Sequence, residues 1–514
     1  MKQYIVIILS IIWTAFLHAQ TDTNYLNGRI TGKKFSPGSK IDFLIFNPNH
    51  INVSLKPDTV LTTTIDSTGN FNLKYIPPQP LFYMGMDFYN GTDSLLSSLR
   101  KEFLIDPFIC QSGDSVSLSL KIISTQNNGG GLSNIGWFSG KGADKYNVQY
   151  LINHYEEASE LSGPYYYYGA LSKDEPIFNK EKFYLLQQEY RLHIADAFKG
   201  HVPDTILTRI KRNLIAMSKY RFTSTFLHGR YSWGIKEHKQ KIIDFVNAAH
   251  SSKSLFSRDD ELTGSRGYAD FILLADELRY RIKHNISYTG EVKYLHNSDF
   301  ASWMYNNIKT NYSGSLREIL LTEWFSNGYM LKYFFKKMEP FLQEAKAMLK
   351  LEDNRTLLDK IAEQSEGKKA FPFKFIDEKG KIHTLEDYKD KIYVLDFWYT
   401  GCLGCTGIPP VMKIIMEEFK SRKDVVFLSI SVDRSIKWWE YGLSTGLYTL
   451  PGQIHLKTID RGKNDPFILN YQIGGYPKVM VIGKNGELLA VNPTDPRIDK
   501  GKDIIDMIKM ALKN

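Results

Sequence analysis

The sequence predicts a multidomain chain: an N-terminal β-sandwich, a helical middle domain and a C-terminal α/β domain. Three observations carry this. Early in the chain, apolar and polar residues alternate, as in half-buried strands. In the middle, apolar residues recur every three to four positions, as on helix faces. Near residue 400, an apolar run from Tyr393 to Trp398 leads through a turn into a helical pattern. At 514 residues the chain is too long for one ordinary core, so three domains are expected. An apolar content of 43% excludes a disordered chain.

The first element is a leader. Met1-Lys2 precede an apolar run from Tyr4 to Leu17, followed by His18-Ala19-Gln20. This predicts a signal peptide over residues 1–19, cleaved after Ala19. The run is short for a membrane span, and an uncleaved anchor is the alternative. No cysteine follows it to carry a lipid. The mature protein is therefore expected in the periplasm or cell envelope, an oxidising space.

Residues 20–140 read as β structure. The stretch Asp114 to Ile122 places Val116, Leu118, Leu120 and Ile122 on one face. Phe71, Leu73 and Tyr75 do the same after the turn Asp66 to Asn70. Short strands punctuated by Gly, Pro and Asn predict a small antiparallel sandwich. Cys110 is expected in a strand as a buried small hydrophobe. Asn127 to Gly131 reads as a loop and not a phosphate cradle, since no Lys-Ser/Thr follows.

Residues 141–366 read as helices. Phe183, Leu186, Tyr190 and Ile194 define one predicted face; Ile206, Ile210, Leu214 and Met217 define another. Ser315 and Glu318 form a predicted capping box. Tyr165 to Tyr168 is expected as a loop packed on the helices, with a peptide-binding surface as the alternative. The 12 histidines form no ligand-spaced cluster, so no metal and no cofactor is expected. The polar stretch Glu363 to Lys369 marks the junction with the last domain. A net charge of +9 comes from scattered Lys and Arg, not a basic stripe, which argues against nucleic acid as partner. Such a surface still allows association with anionic membranes or acidic partners.

Residues 367–514 carry the chemistry. Cys402-Leu403-Gly404-Cys405 sits between the apolar strand and the predicted helix from Val411 to Phe419. A helix N-terminus favours negative charge, so Cys402 is a candidate low-pKa thiolate. Cys405 is one turn further on, within reach to form or resolve a disulfide. An inert structural bridge and a metal site are the alternatives. The chain has only 3 cysteines, too few for a disulfide framework. A zinc site would need two further ligands, which no nearby motif supplies.

From about Phe371 onward the chain resembles the thioredoxin fold, specifically TlpA/ResA-like envelope thiol-disulfide oxidoreductases. The matching features run in order. Asp396 lies six residues before Cys402, in an Asp-Phe-Trp triplet with Trp398. Pro410 follows Cys405 where the family kinks its active-site helix. Val426 to Asp433 resembles the second central strand, and Gly474-Gly-Tyr476-Pro477 the loop with a cis-proline. Lys484 to Glu487 is a hairpin turn signal. The chain departs from the pattern at Gly401, where a Trp is usual, and at Leu403-Gly404, where Gly-Pro is usual. These changes put the potential and the direction of electron flow in doubt.

The resemblance implies a mechanism and partners. Cys402, the more exposed thiol, attacks a protein or peptide disulfide; Cys405 resolves the mixed disulfide. Asp396, with a raised pKa, relays a proton to or from Cys405; the alternative is an acid satisfied by local hydrogen bonds. Pro477, if cis, exposes the Tyr476 backbone for pairing with substrate; the alternative is a trans-proline in a surface turn. Trp398 is expected as both packing and substrate-binding surface, and Trp438-Trp439 as the start of a helix packed on the sheet. The family analogy implies a protein disulfide reductase, or a keeper of thiols for cytochrome c maturation, fed by a membrane dithiol electron donor. Two other readings stand. A thiol peroxidase would carry Pro and Thr where Leu395 and Tyr399 stand. A binding or adaptor protein would use its long front part to capture a partner, with a vestigial redox domain.

Overall fold

The computed structural model describes residues 22–32, 35, 39–48, 57–89, 105–124, 132–158, 177–225, 264–284, 286, 299–327, 330–331, 337–459 and 461–513. The predicted leader, the Asn127 to Gly131 loop and the Tyr165 to Tyr168 run lie outside them.

Eight strands come first: β1 (Asn24–Thr31), β2 (Lys40–Phe46), β3 (Thr59–Thr64), β4 (Asn70–Tyr75), β5 (Leu81–Tyr89), β6 (Ile105–Gln111), β7 (Ser115–Ser124) and β8 (Leu132–Lys141). They form two four-stranded sheets, in the orders β4-β1-β7-β8 and β3-β2-β5-β6. One apolar cluster joins them. Val116, Leu118, Leu120, Ile122, Phe71 and Leu73 of the first sheet meet Phe43, Phe82, Phe108 and Cys110 of the second. The period-two alternation read from Asp114 to Ile122 is the reason these side chains share a face. Pairing is not antiparallel throughout, however: β1 runs parallel to β7. Short turns make sequence neighbours antiparallel, but β1 and β7 lie far apart in the chain, and a long connection permits either direction.

The second sheet is covered on its other side too. Leu44, Phe46, Tyr83 and Ile109 pack against Val148, Ile152, Ile206 and Ile210. These come from α1 (Ala143–Ala158) and α3 (Asp204–Thr225), with α2 (Ile177–Asp196) lying between them in the chain. Burial on both sides is why β2 is apolar at nearly every position. On α2 the predicted face is split: Ile194 packs against this core, but its middle is turned outward. Leu186 and Tyr190 are exposed, while Gln187, Arg191 and Ala195 are buried. Small Ala195 permits close approach, which apolar periodicity alone does not weigh.

Further helices are α4 (Tyr268–His284), α5 (Phe300–Asn311), α6 (Gly314–Ser326), α7 (Leu342–Met348) and α8 (Glu352–Ala362). Phe271, Ile272, Met304, Leu320, Trp324 and Leu358 are among the residues of their common core. The predicted capping box is not formed. Ser313, not Ser315, precedes α6. Glu318 is instead buried, accepting from the Leu351 N–H at 2.7 Å and from Asn354 Nδ2 at 3.0 Å. Its carboxylate ties α6 to α8, satisfying tertiary donors rather than its own helix end.

The last region holds β9 (Phe375–Asp377), β10 (Ile382–His383), β11 (Ile392–Trp398), β12 (Val425–Ser431), β13 (Ile454–Thr458), β14 (Lys478–Ile482) and β15 (Leu488–Ala490). Its helices are α9 (Ile408–Glu418), α10 (Ile436–Ser444), α11 (Pro466–Asn470), α12 (Pro496–Asp499) and α13 (Lys502–Ala511). The seven strands form one sheet in the order β10-β9-β13-β12-β11-β14-β15. The junction is pinned to it: Gly367 N–H donates to Leu488 O, and Leu488 N–H to Lys368 O.

Central β11 is buried at every residue. Tyr393, Leu395 and Phe397 face a core with Leu428, Ile430, Phe467 and Met480. Ile392 and Val394 face the other core, with Met412, Ile415, Val481 and Ile508. Substituting Leu395→Ala should destabilise this region by about 2–5 kcal/mol. Urea unfolding should show a lower midpoint with an unchanged slope.

Candidate redox site

The site grows from the end of β11. Gly401, at φ +93°, lets the chain turn where a side chain would be strained. Cys402 then caps a 3₁₀ turn, Leu403–Gly407, which leads into α9. An α-helix starting at the cysteines is thus replaced by a tighter turn. Pro409 and Pro410 lack the N–H groups needed to continue a helical ladder back to the cysteines. They fit the first turn of α9, where no such bond is required, so Pro410 helps to start the helix rather than to kink it.

Cys402 and Cys405 are joined in a disulfide. The Cys405 N–H donates to Cys402 Sγ at 3.1 Å. On reduction the same N–H is placed to stabilise negative charge on Cys402. Both cysteines are buried, at 3% and 1% exposure, so Cys402 is hardly the more accessible one in this form. The walls are Trp398, Trp439 and Tyr448, with Tyr399, Leu443 and Tyr476 against them. Leu403, between the cysteines, is 86% exposed.

The aromatic wall is fixed by polar bonds. Trp398 stacks on Tyr448 with ring centroids 4.8 Å apart. Its Nε1–H donates to Ser429 Oγ at 2.8 Å, and Tyr448 Oη accepts from the Gly401 N–H at 2.9 Å. Asp433 accepts from the Thr400 N–H at 3.0 Å, from Thr400 Oγ1 at 2.7 Å and from Ser431 Oγ at 2.9 Å. Burial pushes the Asp433 carboxyl up, and these bonds pull it back. Sequence reasoning missed Thr400, Tyr448 and the bracing role of Asp433. Trp439 lies near the start of α10, as the sequence predicts, but its place beside the disulfide was also missed. Only the Thr-Gly before Cys402 hinted at a specially held turn.

Asp396 lies mid-strand, paired in register with Ser429 on one side and Val479 on the other. Alternation puts it on the same face as Val394 and Trp398. Val394 packs with Ile408 and Met412 of α9, and Trp398 packs with both cysteines. The carboxyl therefore sits under the thiol turn. It is 2% exposed, and its Oδ1 has no hydrogen-bond partner. Burial alone pushes its pKa up to about 8. The locally satisfied acid of the alternative reading does not describe Oδ1.

The Tyr476–Pro477 peptide bond is cis. This loop lies against the dipeptide between the cysteines. A Cβ built on Gly404 would stand 3.5 Å from Pro477 Cδ and 3.7 Å from Tyr476 O. The Tyr476 ring meets Tyr399 edge-on at 5.5 Å, and burial holds its phenol well above the usual range. From α12, Arg497 Nη1 donates to Gly404 O at 2.9 Å, while Asp495 accepts from its Nε and Nη2. Among the described residues, no His, Cys, Asp and Glu group could hold a metal ion, and no helix is long and apolar enough to cross a membrane.

The sign of the Asp396 effect follows from its raised pKa. The native state holds a proton that the unfolded chain, near 3.8, has already lost. Its stabilising contribution is therefore full below 3.8 and is lost as pH rises towards about 8. Asp396→Asn should be increasingly more stable than the parent across that window, with a plateau above it. Urea midpoints measured in steps from pH 4 to 9 check this; a constant difference would contradict it.

Comparison with known proteins comes to the same region. Residues 390–488 match a family model described as Thioredoxin-like. The thiol-disulfide oxidoreductase ResA of Geobacillus kaustophilus is 32% identical over 123 residues, covering 24% of this chain and 66% of that protein. The thioredoxin-like protein YneN of Bacillus subtilis is 27% identical over 122 residues, covering 24% and 67%. The chain thus spans about two thirds of the length of these relatives. The solved thioredoxin domain of a thiol-disulfide oxidoreductase from Bacteroides vulgatus is 22% identical, covering 28% of this chain and 96% of that one, with a TM-score of 0.24. The C-terminal region of this chain is a thioredoxin-like domain, and the ResA protein it resembles is a thiol-disulfide oxidoreductase.

Proposed function

We propose that the protein is an exported thiol-disulfide oxidoreductase that reduces protein disulfides through Cys402 and Cys405. The observation that supports this most is the placement of that disulfide. It lies in the 3₁₀ turn that leads into α9, above a buried carboxyl and against the Tyr476–Pro477 loop. An inert bridge would need none of these neighbours.

In the reduced protein, the Cys402 thiolate attacks one sulfur of a substrate disulfide. A Cys402–substrate bond forms, and the first substrate thiolate leaves. Asp396, in its ionised form, takes the proton of Cys405. The Cys405 thiolate then attacks Cys402 Sγ, the internal disulfide forms, and the second substrate thiolate leaves. Two electrons have passed to the substrate, and a dithiol donor at the membrane returns them. The Tyr476 backbone receives an extended substrate segment, with Trp398 in the wall beside it. Export rests on the leader Met1 to Ala19, which directs the chain to the envelope.

A redox titration in glutathione and dithiothreitol buffers tests the proposal, with the pair followed by thiol alkylation and mass spectrometry. A reversible two-electron transition, at roughly −270 mV for a thioredoxin-like reductase, supports it. No transition within reach of these buffers would overturn it. Cys405→Ser should accumulate a mixed disulfide with an oxidised peptide, and Cys402→Ser should form none. Asp396→Asn should slow resolution of that mixed disulfide by about 100-fold at neutral pH, measured by quenched-flow alkylation.

A further inference from the structure

In strand β2 the apolar run is interrupted at Asp42, and Asp42 is the direct cross-strand partner of Asp87 in β5. Two like charges in register on one sheet face repel. Their side chains are only 7% and 23% exposed, so water does little to screen them. A cation therefore has to sit between them. Arg434 of the C-terminal region supplies it. Its Nη2 donates to Asp42 Oδ2 at 2.8 Å, and its Nη1 lies 3.6 Å from Asp87 Oδ2. The other Asp42 oxygen accepts from Thr62 Oγ1 at 2.7 Å. Arg434 Nε donates to Arg461 O at 3.2 Å, so each guanidinium nitrogen is directed. Lys463, half-buried, lies within electrostatic reach of Asp87.

Arg434 is joined by one peptide bond to Asp433, the group that braces Thr400 ahead of Cys402. The Gly462 backbone packs closely on this segment. A Cβ on Gly462 would stand 2.7 Å from Arg434 Cγ and 2.8 Å from Val432 O. One residue thus grips the thiol turn, and the next grips the β region.

We propose that Asp42 and Asp87 form an intramolecular docking site for the redox domain, filled by Arg434, and that docking tunes the Cys402–Cys405 couple through the Asp433–Thr400 brace. Arg434 is then a positioning residue. The inference rests on the redox reading above. In the proposal the docked, braced turn belongs to the oxidised form, the form in which the Arg434–Asp42 and Asp433–Thr400 bonds coexist with the disulfide. Linkage is reciprocal: reduction must loosen the dock by the same factor by which undocking eases reduction.

The test uses the full mature chain and the variants Asp87→Asn, Asp42→Asn/Asp87→Asn and Arg434→Lys. In a glutathione titration the double variant should shift the equilibrium towards dithiol by about fivefold or more. Arg434→Lys should give a smaller shift, because it keeps the charge but not the fork. Asp87→Asn disturbs only the longer contact and guards against a double variant that does not fold. On the parent protein, protease cleavage at the junction near residues 363–369 should be faster in the reduced form than in the oxidised form. A parent couple that no variant moves, with cleavage equal in both redox forms, would overturn this inference alone. A parent chain without a reversible couple would overturn the functional reading, and this one with it.

Discussion

A strand with no solvent face allows one polar exception only at a cost, and β11 carries such an exception. Six of its seven residues pack into apolar clusters: Tyr393, Leu395 and Phe397 into one on one face, and, on the other, Ile392 and Val394 into a second and Trp398 into the disulfide's own. Asp396 stands among them, with burial as the cause of its raised pKa. The rest of the C-terminal region depends on this strand. It is the shared neighbour of β12, which ends two residues before Asp433, and of β14, which follows Pro477. Its last residue, Trp398, begins the wall around the disulfide. Strand packing and thiol environment are one structure.

The environment of the two sulfurs is apolar but not unspecific. Two of the wall rings are aimed by hydrogen bonds: Trp398 at Ser429, and Tyr448 at Gly401. A hydroxyl that binds the backbone before Cys402 holds the turn without adding charge beside it. Charge is instead placed one layer out, in Asp433 and in Arg497, whose guanidinium reaches Gly404 O. Low local dielectric makes such distant charges felt more strongly than in water. That is how a thiol pair can be tuned by groups that do not touch it.

The three parts of the chain are also in contact, not merely strung together. The second sheet is covered by the first on one face and by α1 and α3 on the other. At its Asp42–Asp87 end it meets Arg434. Gln364 bonds Asn470 of α11, and residues 367–370 bond β15 and the turn before it, which ties the end of the helical part to the last region.

Local pattern was enough to read the strand–turn–cysteine order, the alternation of Val116 to Ile122 and the Cys402/Cys405 pair, while the candidates Asp396, Trp398, Tyr476 and Pro477 came from the family resemblance. These are short-range signals: periodicity of side chains, and residue types adjacent in the chain. What it could not decide involves residues far apart in sequence. The parallel pairing of β1 with β7, the outward turn of Leu186 and Tyr190, and the use of Glu318 as an interhelical clamp all depend on partners elsewhere. So do the stacking of Tyr448 on Trp398 and the meeting of Arg434 with Asp42. A carboxylate or an aromatic ring is the same residue in every context. Only burial and the neighbours that the tertiary structure brings to it determine whether it packs, braces or titrates.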